Sequence, residues 1–110
     1  MAYDEALAAR VRNVLPETGD LRERKMMGAL CFMIGGHMCC GVTGDALMVR
    51  VGHDGYDAAL DEHHVRPMEM SGGRKPRGFV LVGPAGVETE DELIQWIARG
   101  RRFVSTLSAK

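Results

Sequence analysis

The chain is poor in several features that would announce a function. No apolar run approaches the roughly 20 residues needed to span a bilayer, and the start, Met1-Ala2-Tyr3-Asp4-Glu5, has no basic segment followed by an apolar one. The expectation is a cytoplasmic protein with no membrane contact. Neither sign of charge dominates: 14 Lys and Arg stand against 15 Asp and Glu, a formal net charge of -1. That balance argues against a protein built chiefly to neutralise nucleic-acid phosphate, which needs a clustered cationic excess. Aromatic residues make up only 5%, too few for a base-stacking platform. Cys31, Cys39 and Cys40 are an odd set without a secretion signal, so reduced thiols are expected rather than a disulfide framework.

What is present is a globular composition, 45% hydrophobic and 26% charged, and 110 residues suffice for one core, so a single domain over 1–110 is expected. Leu7, Val11, Val14 and Leu15 fall on one helical stripe behind Asp4 as N-cap, and Pro16 stops that helix before a loop at Glu17-Thr18-Gly19-Asp20. The period then becomes strand-like. Strands are expected at 24–34, 37–42 and 46–51, with two-residue turns at Gly35-Gly36 and Gly44-Asp45, where positive φ is available. A short helix begins at Asp54 and carries Tyr56, Ala59 and Leu60. A weak strand is expected at 68–70, a basic loop at Ser71-Gly72-Gly73-Arg74-Lys75-Pro76, and a firm strand over Phe79-Val80-Leu81-Val82. Thr89-Glu90-Asp91-Glu92 has the form of a capping box and opens a last helix with the stripe Leu93, Trp96, Ile97, Gly100, Val104 and Leu107. The order α-β-β-β-α-β-β-α gives an α+β, two-layer domain with a mainly antiparallel, five-stranded sheet, since strands joined without crossover helices pair as hairpins.

Counting outward from two ideal turns pairs Met33 with Met38, Cys31 with Cys40, Val42 with Leu47 and Cys40 with Val49. One face then holds Cys31, Met33, Met38, Cys40, Val42, Leu47, Val49 and Val51 and is expected beneath the helices. The other carries Leu30, Phe32, Ile34, His37, Cys39, Gly41, Met48 and Arg50. This second face is the candidate interaction face, for a homodimer or a protein partner, unless a terminal segment folds over it.

Few residues suggest chemistry. His37, Met38, Cys39 and Cys40 near Cys31 form a soft ligand set of the kind that suits zinc or Cu(I), but adjacent strand residues point to opposite faces, so core packing is the stronger reading. A Cys31 to Cys40 disulfide is conceivable in that register and disfavoured in the cytosol. A small-ligand or metal site built on His37, Cys39 and Arg50 is the alternative to an interaction module. His63-His64 beside Asp61 and Glu62 reads as a solvated helix end, because adjacent histidines are not helical partners for one metal. Arg74, Lys75 and Arg77, with Arg22, Arg24 and Lys25, could meet phosphate only if the fold gathers them. Gly72-Gly73-Arg74-Lys75 lacks the spacing of a P-loop. The eight methionines, with Met26 and Met27 opening the sheet, are either core filling or an adaptable surface. No catalytic constellation, metal set or cofactor site is expected.

Several fragments in order, Lys25-Met26-Met27-Gly28, Phe32, Gly41-Val42-Thr43-Gly44-Asp45, Leu47-Met48-Val49-Arg50-Val51-Gly52, Tyr56 with Ala59-Leu60, Arg66-Pro67-Met68 and Gly78-Phe79-Val80, resemble the N-terminal domain of the TfoX/Sxy family. The resemblance runs over nearly the whole chain. It implies a two-layer domain with an antiparallel sheet and a regulatory association, since two-domain members are linked to control of competence genes as co-regulators of a transcription activator. The helical C-terminal domain of those members is expected to be missing from a chain that ends at Lys110, and no catalytic residues carry over.

Overall fold

Asp4 starts the first helix: its carboxylate accepts from the N–H groups of Ala6 at 2.8 Å and Leu7 at 3.1 Å, satisfying donors that the first turn leaves free. A computed structural model describes residues 3–15, 21–26, 28–69 and 71–107. Within them the elements run α1 (Glu5–Val14), β1 (Leu21–Met26), β2 (Ala29–Ile34), β3 (His37–Thr43), β4 (Ala46–Arg50), α2 (His53–Leu60), β5 (Val65–Pro67), β6 (Phe79–Val82) and α3 (Glu90–Val104), with single 3-10 turns at Ser71–Gly73 and Pro84–Gly86. The α+β class and the antiparallel sheet agree with expectation. The expected helix stop at Pro16, the loop after it, and the roles of Met27 and Met70 lie outside the described residues.

The sheet has six strands rather than five, in the order β1-β2-β3-β4-β6-β5, with every neighbouring pair antiparallel. The additional strand arises because residues 24–34 are not one strand. Gly28, at φ 82°, turns the chain back, and Met26 pairs with Ala29. Both glycine-bearing hairpin turns form as two-residue loops, joining Ile34 to His37 and Thr43 to Ala46. The weak strand forms three residues earlier than expected, at Val65–Pro67. Pro67 is tolerated there because β5 is an edge strand with no further neighbour among the described residues.

At α3, Thr89 Oγ1 accepts from the Glu92 N–H while Glu92 accepts from the Thr89 N–H, the expected reciprocal cap. Five residues of the predicted stripe, Leu93, Trp96, Ile97, Gly100 and Val104, are buried against the sheet, and the sixth, Leu107, is half-buried beyond the end of the helix. All three helices contribute to a single core, where Leu7, Val11, Tyr56, Ala59, Leu93 and Ile97 meet Val42, Leu47, Val49, Val80 and Val82. Bidentate hydrogen bonds from Arg12 to Glu23, at 2.7 and 2.9 Å, tie α1 to β1 from the same side.

One irregularity redistributes the faces. The β2–β3 register shifts between Phe32 and Met33: Met33 pairs with Met38 as expected, but Phe32 pairs with Cys40, Cys31 with Gly41 and Leu30 with Val42. Cys39 is therefore the extra residue of a β-bulge, opposing no single residue on β2. Since side chains alternate with period two, a one-residue slip moves everything beyond it to the other face. Leu30, Phe32, Ile34 and Cys39 belong with the helix-side core, and Cys31, Met33 and Met38 lie on the opposite side. Cys40, Val42, Leu47 and Val49 are where they were expected.

Candidate functional site

The expected interaction face does not exist as a surface. Leu30, Phe32 and Cys39 are buried in the main core, and Ile34 packs against it. His37 sits beside the C-terminal half of α3, in a groove shared with Ile34, Arg101, Arg102 and Ser105. Met48 keeps its predicted place on the far face. The Arg50 guanidinium lies 5.3 Å from the ring centres of both Phe79 and Phe103, so the end of β4 is clamped to the last helix through a double cation–π contact. Cys39 is thus buried beneath α3, His37 lies in the groove beside that helix, and Arg50 is held between two rings. Among the described residues no three His, Cys, Asp or Glu side chains come close enough to hold a metal ion.

The thiols are equally scattered in function. The bulge turns Cys39 and Cys40 to the same helix-side core, contrary to simple strand alternation, while Cys31 lies opposite Gly41 on the other face. A Cys31 to Cys40 disulfide is thereby ruled out; all three cysteines are free and buried. The contact between the Cys39 and Cys40 thiols, together with burial, pushes the Cys40 thiol well up, and burial alone raises Cys31.

What the register does build is a second apolar surface, on the sheet face away from the helices. Ala29, Cys31 and Met48 are buried within it, with Met26, Met33, Met38, Met68 and Leu81 half-buried around them. Gly41 lies beneath: a Cβ there would come 2.8 Å from the Met48 Cε, so the methionine methyl occupies the space that a side chain would take. Strand pairing sets one continuous row across the sheet, Arg24, Cys31, Gly41, Met48, Leu81 and Arg66, with an arginine at each end. Both end residues are exposed. Glu23 is the only carboxylate on any of the six strands, and it is turned to the helix side, where Arg12 binds it.

A family model for the TfoX N-terminal domain matches residues 13–104, a span that takes in every strand of this sheet and the last helix. The chain belongs to that family. No curated protein matches the chain, and no solved structure matches it.

In this TfoX N-terminal domain a polar cleft lies elsewhere, about 500 Å³ between the end of α2 and the start of α3, lined by Glu62, His63, His64, Glu92, Trp96 and Arg99. Its charged groups already serve one another: Arg99 binds Glu62 bidentately and stacks 4.2 Å over Trp96, and Glu92 caps α3. The two imidazoles stand 6.2 Å apart at the rim. His64 takes a left-handed φ of 68° and its carbonyl accepts from the Gly83 N–H at 2.8 Å, a connection that joins β5 to the turn after β6. The basic residues are likewise divided. Arg22, Arg24 and Lys25 lie on β1 and the Arg74-Lys75 loop beside β5 and β6, at opposite edges of the sheet, and Arg77 is engaged by Asp57. The described helices are all too short or too polar to cross a membrane.

The methionine face was hidden in the sequence because its discovery needs the register. The one signal available beforehand was size: Leu30 and Phe32 are bulkier hydrophobes than Cys31 and Met33, and the larger pair fills the core.

Proposed function

We propose that this TfoX N-terminal domain is a non-catalytic interaction module of a regulatory kind, binding a protein partner on the open methionine face. One observation carries the reading: among the described residues no helix lies over an apolar sheet face rimmed by half-buried methionines, while all three helices pack on the other side. An unbranched, polarisable thioether chain adapts to a partner's contours at little cost, which suits a binding surface better than β-branched residues would. The resemblance to two-domain competence regulators supports placing that binding in transcriptional control, as a co-regulator.

The test is capture of partners from native cell extract with three proteins, wild type, Met38→Glu and Ile94→Glu. Ile94, 45% exposed on α3, reports on the helix side. Met38→Glu is expected to lose the captured protein and Ile94→Glu to keep it, with both variants melting like wild type. Equal capture by all three would remove the methionine face from function.

A further inference from the structure

The charge pattern around this face specifies its occupant, an inference that rests on the face being a docking surface at all. The row Arg24, Cys31, Gly41, Met48, Leu81, Arg66 is apolar in the middle and cationic at both ends, and no carboxylate shares the face on any strand. Neither Arg24 nor Arg66 forms an ion pair among the described residues, whereas Arg10, Arg12, Arg77 and Arg99 all do. A second copy of the chain fits poorly. With the strands of two copies aligned, a two-fold axis in the plane of the face, along or across the strands, sets an arginine edge against an arginine edge, and like charges across an interface are repulsive. Nucleic acid fits no better, because the centre of the face is thioether and aliphatic rather than aromatic, and offers bases nothing to stack on.

The dimensions suit one α-helix. The middle of the apolar face, on β2, β3, β4 and β6, spans three inter-strand gaps of about 4.8 Å, or roughly 14 Å, against about 10–12 Å for a helix with its side chains, and Met26 and Met68 extend it at the two edges. Arg24 and Arg66 stand one strand beyond that middle on either side. We infer that the partner presents an acidic amphipathic helix, laid along the strands with an apolar stripe on Met33, Met38 and Leu81 over the buried Met48 and with Asp or Glu on both flanks, meeting Arg24 on one side and Arg66 on the other. Such a helix supplies the missing third layer of the domain.

Two designed 18-residue helical peptides test this, sharing one leucine stripe and differing only in glutamate or lysine flanks. Binding is followed by the methyl NMR signals of the methionines, which lie on the face itself. The glutamate peptide is expected to shift the methyl signals of Met33, Met38, Met48 and Met68 and to bind at least tenfold more tightly than the lysine peptide. The double variant Arg24→Glu/Arg66→Glu, altered only at exposed edge-strand positions, is expected to reverse that preference. No shift of the methionine signals by either peptide, an unchanged preference in the double variant, tighter binding of a single-stranded oligonucleotide through the same methyls, or concentration-dependent dimerisation that buries them each overturns the inference. Failure here with loss of native capture in Met38→Glu leaves the docking surface standing and removes only its acidic partner; intact capture in Met38→Glu removes both.

Discussion

Replacing Gly100 with alanine should destabilise this domain, against the usual behaviour of a helix. In a helix interior alanine is favoured over glycine by about 1 kcal/mol, partly because glycine loses more freedom on folding. Gly100, however, sits where α3 crosses the bulge of β3. A Cβ at that position would lie 2.7 Å from the Cys39 carbonyl oxygen, 3.1 Å from its Sγ and 3.4 Å from its carbonyl carbon. Two of those atoms are backbone of an interior strand and cannot swing aside like a side-chain tip. Relief requires lifting α3 from β3 and β4 by several tenths of an ångström, an overpacking that costs roughly 1–3 kcal/mol. Subtracting the propensity gain of about 1 kcal/mol leaves a net loss of about 0–2 kcal/mol, roughly 1 kcal/mol at the middle of the range. At roughly 4–8 °C per kcal/mol for a domain near this size, Tm should fall by several degrees, enough for calorimetry to resolve. Gly55→Ala is the internal control. Its Cβ would meet only the Val51 Cβ at 3.7 Å, an ordinary contact in α2, so stability should rise by up to about 1 kcal/mol. A rise in stability for Gly100→Ala matching that of Gly55→Ala would mean that α3 does not rest on Cys39, and the bulge, with the face assignment derived from it, would have to be abandoned.

Two other expectations follow from the same register. Phe32→Asp and Val49→Asp should both unfold the domain, since each side chain is fully buried in the helix-side core and an unpaired carboxylate there costs several kcal/mol, while Met38→Asp should stay folded; circular dichroism of a folded Phe32→Asp protein would contradict the register. Burial of Cys31 should also make stability decline in alkali. Its thiol holds its proton in the folded state to higher pH than in the unfolded chain, so its contribution is full below about pH 8.5 and is lost as pH rises towards its folded value, whereas the contact between Cys39 and Cys40 lowers one thiol and raises the other, so that their contributions oppose each other. Urea midpoints measured from pH 7.5 to 10.5 should fall more steeply in wild type than in Cys31→Ala, and equal slopes for the two proteins would show that burial does not hold the Cys31 thiol neutral.

Much of the fold was readable because particular residues permit few alternatives. Asp4, Thr89 with Glu92, and the glycines at 35, 36 and 44 are local determinants, and each acts within three or four residues of where it stands. The extra strand was not legible because Gly28 is the single turn-forming residue within a run of strand formers, whereas the other hairpin turns carry Gly-Gly or Gly-Asp. The candidate face failed for a different reason. A bulge is a long-range event, settled when β2 meets both β3 and the helices, and here the residues around it give period-two reasoning no contrast: positions 29 to 34 are apolar without exception, and the bulged residue and its neighbour are both cysteine. Alternation can choose between faces only where one of them is polar. Arg24 and Arg66 were visible as charges, yet their alignment at the two ends of one row depends on five successive strand pairings.

A sheet that is apolar on both faces but clothed with helices on one faces a solubility problem, and the placement of its charges bears on which solution this domain uses. The edge strand β1 carries Arg22-Glu23-Arg24-Lys25, and the opposite edge ends at Pro67, so neither invites edge-to-edge pairing. Charge that served only solubility would have no reason to be single-signed on one face, because mixed signs keep proteins apart equally well and avoid self-repulsion. On the helix side the signs are mixed and paired, as Arg12 with Glu23 and Arg99 with Glu62 show. On the methionine side they are cationic at both ends of the central row and unmatched there. On the acidic-helix proposal that asymmetry has two uses: like charges at both ends of the row would oppose the pairing of two such faces with their strands aligned, and the same arginines would favour a partner with carboxylates on its flanks.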